Sequence, residues 1–423
     1  MEKPDLNLPT RQPILKVIFS RRMLVAFVMG FSGGLPLLLT LGVLQAWMKE
    51  KGVDLTWIGM ITLVQIPYTW KFFWAPFLDR FIPPFLGRRR GWLLIAQIAL
   101  MLSIAALGYS DPVERTRLMI VAAVLVAFFS ATQDIVIDAY RREDLSDEEL
   151  GLGSSMYIYG YRLGMLLASG GGMIMADYMP FSRVYLIMAV CLLPGVAATL
   201  LTPEPKVVAG APRTMKEAII NPLVDYFNRS GAIWILAFIL LYKIGDTMAS
   251  AISTPFYLEI GFSKSEIGTV VKLFGTAATL AGAFLGGLTL LKLGINRGLW
   301  IFGFLQALST ACFAILARIG YNIAMLSGVI AFENLSSGMG TAAFVAFMAS
   351  ITNKKFTATQ YALLTSLMGI PRALASSVTG VMAKNIGWES FFIICTLIAI
   401  PGMMLLLKFA PWNSRAVVEA RAS

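Results

Sequence analysis

The sequence is a succession of apolar runs, each roughly 20 residues long and separated by short polar loops. They lie near 23–47, 57–78, 91–109, 118–140, 153–175 and 184–201, then near 231–255, 265–290, 298–317, 322–348, 357–382 and 388–409. A hydrocarbon core of about 30 Å is spanned by roughly 20 apolar residues in a helix. Inside lipid every backbone N–H and C=O must be bonded within its own segment or a closed barrel. The ten-residue alternation of a membrane barrel is absent, so the fold class is an all-α membrane protein with 12 transmembrane helices. Composition agrees: 57% of residues are hydrophobic and 14% charged, against about 25% charged in soluble domains.

The runs fall into two sets that look alike. "GVDLTWIG" (52–59) matches "GFSKSEIG" (261–268), and Arg162 and Arg372 sit at corresponding places in the fifth run of each set. "DRFIPPFLGRRRG" follows the second run and "KLGINRG" follows the eighth. These matches, in order and at nearly one offset, argue for a duplication of six helices, which is the plan of the major facilitator superfamily: two pseudo-symmetric six-helix bundles. The expected layout is a cytoplasmic N-terminal segment (1–22), a first bundle (23–201), a cytoplasmic linker (202–230), a second bundle (231–409) and a cytoplasmic tail (410–423). In the linker, Met215, Ile219, Leu223 and Phe227 recur every fourth residue. That spacing predicts an amphipathic helix lying on the membrane surface.

The net charge of +11 would suggest nucleic acid in a soluble chain. Here the Lys and Arg residues gather in short loops on one side. By the positive-inside rule that side is cytoplasmic and both termini are there. No nucleic-acid partner is expected, and the lipid bilayer is. Arg21 and Arg22 precede an apolar stretch that continues as a full span, so no cleavable leader is expected. Cys191, Cys312 and Cys395 each lie within an apolar run and read as packing residues. There is no histidine, so proton chemistry falls to carboxylates, Lys or Tyr. The sequence has no phosphate-binding GxxxxGK[ST] motif, no HExxH, no Cys/His cluster and no nucleophile–base pattern. No enzyme activity, metal or cofactor is expected.

Charged residues nevertheless occur inside the apolar runs: Lys71, Arg162, Lys243, Lys272 and Arg372, with Asp134, Asp138, Asp246 and Glu333. Each costs about 2.5–3.5 kcal/mol if it faces lipid at mid-helix, so these groups must face one another or a polar cavity. Asp134 and Asp138, in "SATQDIVIDAYRR", share a helix face. Asp138 lies near the cytoplasmic end beside Arg141 and Arg142, and suits a structural ion pair closing that end. Asp134 lies about 6 Å deeper by helical rise and is the better proton carrier, with structural pairing and substrate binding as its other readings. Glu333 is the next proton-coupling candidate. Lys243 and Asp246, three apart, either neutralise each other or bind substrate. The small residues after Glu333 and Asn334, and the run Gly170–Gly171–Gly172, read as helix-packing surfaces. Asp79, Arg80, Arg88, Arg89 and Arg141 are the expected cytoplasmic gate.

The loop after the second run resembles a stretched facilitator signature, with Asp79-Arg80 separated from Gly87-Arg88-Arg89 by six residues, Phe81 to Leu86. The longer strings "GFSGGLPLLLTLGVLQAWM", "KFFWAPFLDRFIPPFLGRRRGWLL", "SATQDIVIDAYRREDL", "GYRLGML", "LYKIGD" and "FENLSSGMGTAAFVAFM" closely resemble the AmpG muropeptide permease family, in order through both halves. The resemblance implies a proton-coupled importer of anhydro-muropeptides across the bacterial inner membrane. The cargo would be GlcNAc-1,6-anhydro-MurNAc with or without stem peptide, in a recycling route tied to β-lactamase induction in some bacteria. Amides and aromatics suit its sugars: Gln45, Gln65, Tyr68, Gln133, Tyr157, Tyr161, Asn334 and Gln360. Lys71, Arg162, Lys243, Lys272 and Arg372 suit its carboxylates. A monomer is expected. The rival cargo is another bulky anion such as acetyl-coenzyme A.

Overall fold

The computed structural model describes residues 18–53, 55–205, 214–229, 231–263, 266–368 and 379–412. Arg372, the first 17 residues, part of the linker and the end of the tail therefore lie outside the described residues. Every regular element among the described residues is helical. We number the helices α1 (Arg21–Glu50), α2 (55–80), α3 (Arg88–Tyr109), α4 (Thr116–Asp144), α5 (150–178), α6 (Phe181–Leu201), α7 (Met215–Phe227), α8 (Ala232–Glu259), α9 (267–293), α10 (295–319), α11 (Ile323–Ile351), α12 (Thr357–Leu367) and α13 (Trp388–Phe409).

Among the described residues, eight helices are long and apolar enough to cross a membrane, with Ile267–Ile319 counted as one. That 53-residue stretch folds back at Gly294, whose φ of 78° and ψ of 168° suit glycine alone. The turn after the eighth run is thus one residue, tighter than the sequence spacing suggests. The expected spans 57–78 and 153–175 are helical but broken. In α2, Pro67 and Pro76 each stand in the first turn of a new helical piece, where a missing N–H costs nothing. In α5 a π-helical turn covers Leu167–Gly171. Of the run 357–382, residues 369–378 lie outside the described residues.

Glycines set the tightest helix contacts. A Cβ on Gly30 or Gly34 of α1 would sit 2.1 or 2.0 Å from the carbonyl oxygen of Tyr157 or Tyr161. A Cβ on Gly160 or Gly164 of α5 would meet the carbonyls of Phe27 and Phe31 at 2.0 and 2.3 Å. α1 and α5 therefore touch backbone to backbone, as small-xxx-small pairs allow. The run Gly170–Gly172 does less of this: only Gly172 approaches another helix segment closely, at Val43. In the second half Gly282 and Gly338 bring α9 and α11 together in the same way.

α7 lies at the end of the bundle that carries Arg88–Arg90, here called the basic end. Its buried side is Ala218, Pro222 and Tyr226. Met215, Ile219, Leu223 and Phe227 are exposed. The four-residue stripe thus points away from the protein, the disposition a surface-lying amphipathic helix requires.

Candidate functional site

In the first half, α4 and α5 bring the acids and tyrosines together. Asp134 is buried, and its Oδ1 has no hydrogen-bond partner among the described residues. It faces Gly33 of α1: a Cβ there would stand 3.0 Å from Oδ1, and 3.6 Å from both the Tyr157 hydroxyl and the Tyr161 ring. The absence of a side chain at Gly33 is what lets these groups converge. The rings of Tyr157 and Tyr161 lie 5.9 Å apart. Lys71, buried on a short helical turn of α2, interacts electrostatically with both Asp134 and Asp138. One turn toward the basic end, Asp138 pairs with Arg141 at 3.1 Å. Lys71 and Arg141 thus balance Asp134 and Asp138, two charges against two.

In the second half, Lys243 lies 3.5 Å from Asp246 and donates to the Thr341 hydroxyl at 2.9 Å. Glu333 of α11 is within hydrogen-bonding reach of Asp246 and accepts from Ser309 Oγ at 2.5 Å. Here one lysine faces two carboxyls.

The basic end is sealed across the halves. Asp79, at the end of α2, accepts from the backbone N–H groups of Ala358 and Thr359 at 3.3 and 2.8 Å and from the Thr359 hydroxyl at 2.7 Å. No side chain at its own cap position closes the N-terminus of α12, so a carboxylate from the other half does. Arg89, with no exposed surface, joins Asp79 at 2.7 Å to Glu143 at 2.6 Å, and Arg88 reaches Glu143 at 3.1 Å. Glu204 accepts from the N–H groups of Arg89 and Arg90, capping α3. The Arg141 guanidinium stacks 4.4 Å over Tyr157 and donates to the Tyr361 hydroxyl at 2.9 Å, and Arg142 reaches the Ser350 carbonyl. Ser155 of α5 packs against Gly287 of α9. Among the described residues, every ion pair between the two bundles' residues stays within one bundle; the bundles meet through hydrogen bonds and packing.

The linker tightens this end. Asp225 accepts from Gln360 at 2.7 Å and from Asn353 at 2.9 Å. Arg229 bonds the Ile351 carbonyl, Asp225 and Gln360.

The structure therefore brings together Tyr68, Lys71, Asp134, Asp138, Tyr157, Tyr161 and Arg141 in one group, and Lys243, Asp246 and Glu333 in another. Other expected ligands have structural partners. Gln133 exchanges hydrogen bonds with Ser32, Gln65 donates to Thr40, Gln45 to the Ile58 carbonyl, and Asn334 holds Thr279. Gln360 belongs to the basic-end seal with the linker. Arg162 and Lys272 are exposed, and Arg80 lies 5.4 Å over the Phe81 ring. Sequence reasoning did not single out Gly33, Glu143, Glu204, Asp225, Thr359 or Tyr361. Glu143 carried a readable signal: an acid directly after Arg141 and Arg142 in a charged stretch.

A polytopic helical bundle with buried charge clusters in each half, sealed at one end, defines a membrane transporter of the facilitator type. The Major Facilitator Superfamily model matches residues 22–370 and 240–421. Among solved structures, the fold matches the proton:xylose symporter XylE with TM-score 0.68 and 12% identity, covering 97% of this chain and 99% of that one. It matches the human organic anion transporter MFSD10 with TM-score 0.63 and 14% identity, covering 93% and 100%. The chain is 42% identical over 395 residues to the anhydromuropeptide permease of Escherichia coli (strain K12), covering 93% of this chain and 80% of that one. It is 31% identical over 404 residues to putative transporter AmpG 4 of Rickettsia felis, covering 93% and 98%. The chain belongs to the AmpG permease family within that superfamily.

Proposed function

We propose that this protein imports anhydro-muropeptides into the bacterial cytoplasm by proton symport. The observation that carries the cargo is the 42% identity to the Escherichia coli permease over 93% of the chain. In this reading twelve helices cross the inner membrane, the basic end is cytoplasmic, both termini lie there, and the halves rock about a site near the bilayer midplane. A muropeptide offers sugar hydroxyls to tyrosines and carboxylates to lysines.

The first-half cluster suggests how coupling works. Lys71 neutralises the two aspartates jointly with Arg141. A cargo carboxylate that takes Lys71 for itself leaves Asp134 buried without its counter-charge. A proton on Asp134 restores the balance, so cargo and proton enter together. Uptake into vesicles with an imposed pH gradient tests this. Labelled anhydro-muropeptide should accumulate and be displaced by unlabelled muropeptide, with little displacement by acetyl-coenzyme A. Replacing Lys71, Arg162, Lys243 or Lys272 singly by Gln should weaken uptake of peptide-bearing cargo more than that of the bare disaccharide in at least one variant. Equal loss for both cargoes in every variant leaves these cations a structural role.

A further inference from the structure

The two buried clusters differ in charge. The first half has two cations for two carboxylates. Among the described residues, the second half has Lys243 for both Asp246 and Glu333. We propose that Asp246 and Glu333 share a proton in the resting, cargo-free protein, making the second half a proton site in its own right, with Glu333 as the holder.

Three observations on the geometry support this. First, the two carboxyls are within hydrogen-bonding reach, and two ionised carboxylates have no hydrogen to place between them. Second, the cluster is short of donors. Ser309 Oγ has a single hydrogen, yet its oxygen lies 2.9 Å from the Gln306 carbonyl and 2.5 Å from Glu333 Oε2, both acceptors when Glu333 is ionised. A proton on Glu333 supplies the missing donor. Third, Lys243 lies against Asp246 and Thr341 rather than against Glu333, so the proton is placed on Glu333. Among the described residues, the other titratable groups facing Glu333 are Tyr257 of α8 and Cys312 of α10, both neutral in ordinary form. With one proton the cluster has no net charge, and without it a net negative charge is left inside the membrane.

The site also differs from Asp134 in depth. Glu333 stands ten residues from Ile323, about 15 Å along α11 from the end opposite the basic one. Asp134 stands ten residues before Asp144, at the basic end of α4. The two halves thus hold acids at different levels, and the resting proton is on the side away from the seal.

Infrared spectroscopy of the full chain in liposomes, at neutral pH and without cargo, tests the proposal. The protein should show a protonated-carboxyl C=O band that shifts in D2O. The band should be lost in Glu333→Gln. It should also be lost in Asp246→Asn, because Glu333 then pairs with Lys243 and ionises. Asp134→Asn should leave it unchanged. Absence of the band in the unaltered protein, its persistence in Glu333→Gln or in Asp246→Asn, or its loss in Asp134→Asn overturns the proposal. The measurement uses no cargo, so its outcome is separate from that of the muropeptide uptake test.

Discussion

Asp79 accepts hydrogen bonds from both the backbone N–H and the hydroxyl of Thr359, at 2.8 and 2.7 Å, so a carboxylate of the first half serves as the helix cap of the second. Losing a cap costs about 1 kcal/mol, up to about 2. Asp79→Ala should therefore shift the balance toward the state open at the basic end by roughly tenfold. A cysteine at Ser155, buried against Gly287, reports this in a background lacking Cys191, Cys312 and Cys395. Its maleimide labelling should accelerate in the Asp79→Ala protein, and an unchanged rate would show that the cap does not hold the seal.

Asp134→Asn should abolish gradient-driven accumulation while leaving cargo binding or exchange. Asp138→Asn should retain part of the coupling and slow turnover, because Asp138 chiefly holds Arg141. Vesicles with an imposed pH gradient measure both. Full accumulation by Asp134→Asn would remove this residue from the coupling step.

The glycine contacts divide sharply. Gly160→Ala places a methyl about where the Phe27 carbonyl stands and should cost about 1–3 kcal/mol of overpacking. Gly328→Ala meets nothing within 4 Å on a regular helix and should be neutral or stabilising by up to about 1 kcal/mol. Thermal unfolding followed by size-exclusion chromatography in detergent should separate the two; equal melting would refute the backbone contact of α1 and α5.

The linker clamp should resist mild acid. Burial pushes the Asp225 carboxyl up, but hydrogen bonds from Gln360, Arg229 and Asn353 outweigh it and hold the group below the usual carboxylate range. A depressed value in the folded state means that the stabilisation is complete above the free-side-chain value of about 3.9 and fades only as pH falls through the lower, folded one. Hydrogen exchange of Met215–Phe227 should thus show the same protection factors from about pH 8 to about pH 5. Asp225→Asn should lower that protection by roughly tenfold at every pH in the range. Loss of protection in the unaltered protein near pH 5 would contradict the clamp.

Much of this was readable from the sequence because lipid leaves so few choices. Uncharged runs of helical length had to become helices, and charges within them had to find one another. That logic located Asp134, Asp138, Lys243, Asp246 and Glu333. It did not separate ligands from ties: Gln133, Gln65 and Asn334 are polar for the sake of neighbouring helices, and only their partners Ser32, Thr40 and Thr279 reveal it. Gly33 was invisible for a different reason. Its value lies in the space it leaves beside Asp134, and an empty position has meaning only once three helices are assembled. The cap made by Asp79 likewise joins residues 280 positions apart.

The confinement of ion pairs to single bundles has a bearing on how the molecule moves. Parting the basic end breaks hydrogen bonds to Thr359, Tyr361 and Ser350, while Arg89 keeps Asp79 and Glu143, and Arg141 keeps Asp138. Among the described residues no opposite charges are pulled apart across a low-dielectric gap, and water can replace each bond as it breaks. The barrier to opening is thus made of many small, replaceable steps, and ionic strength has little hold over it.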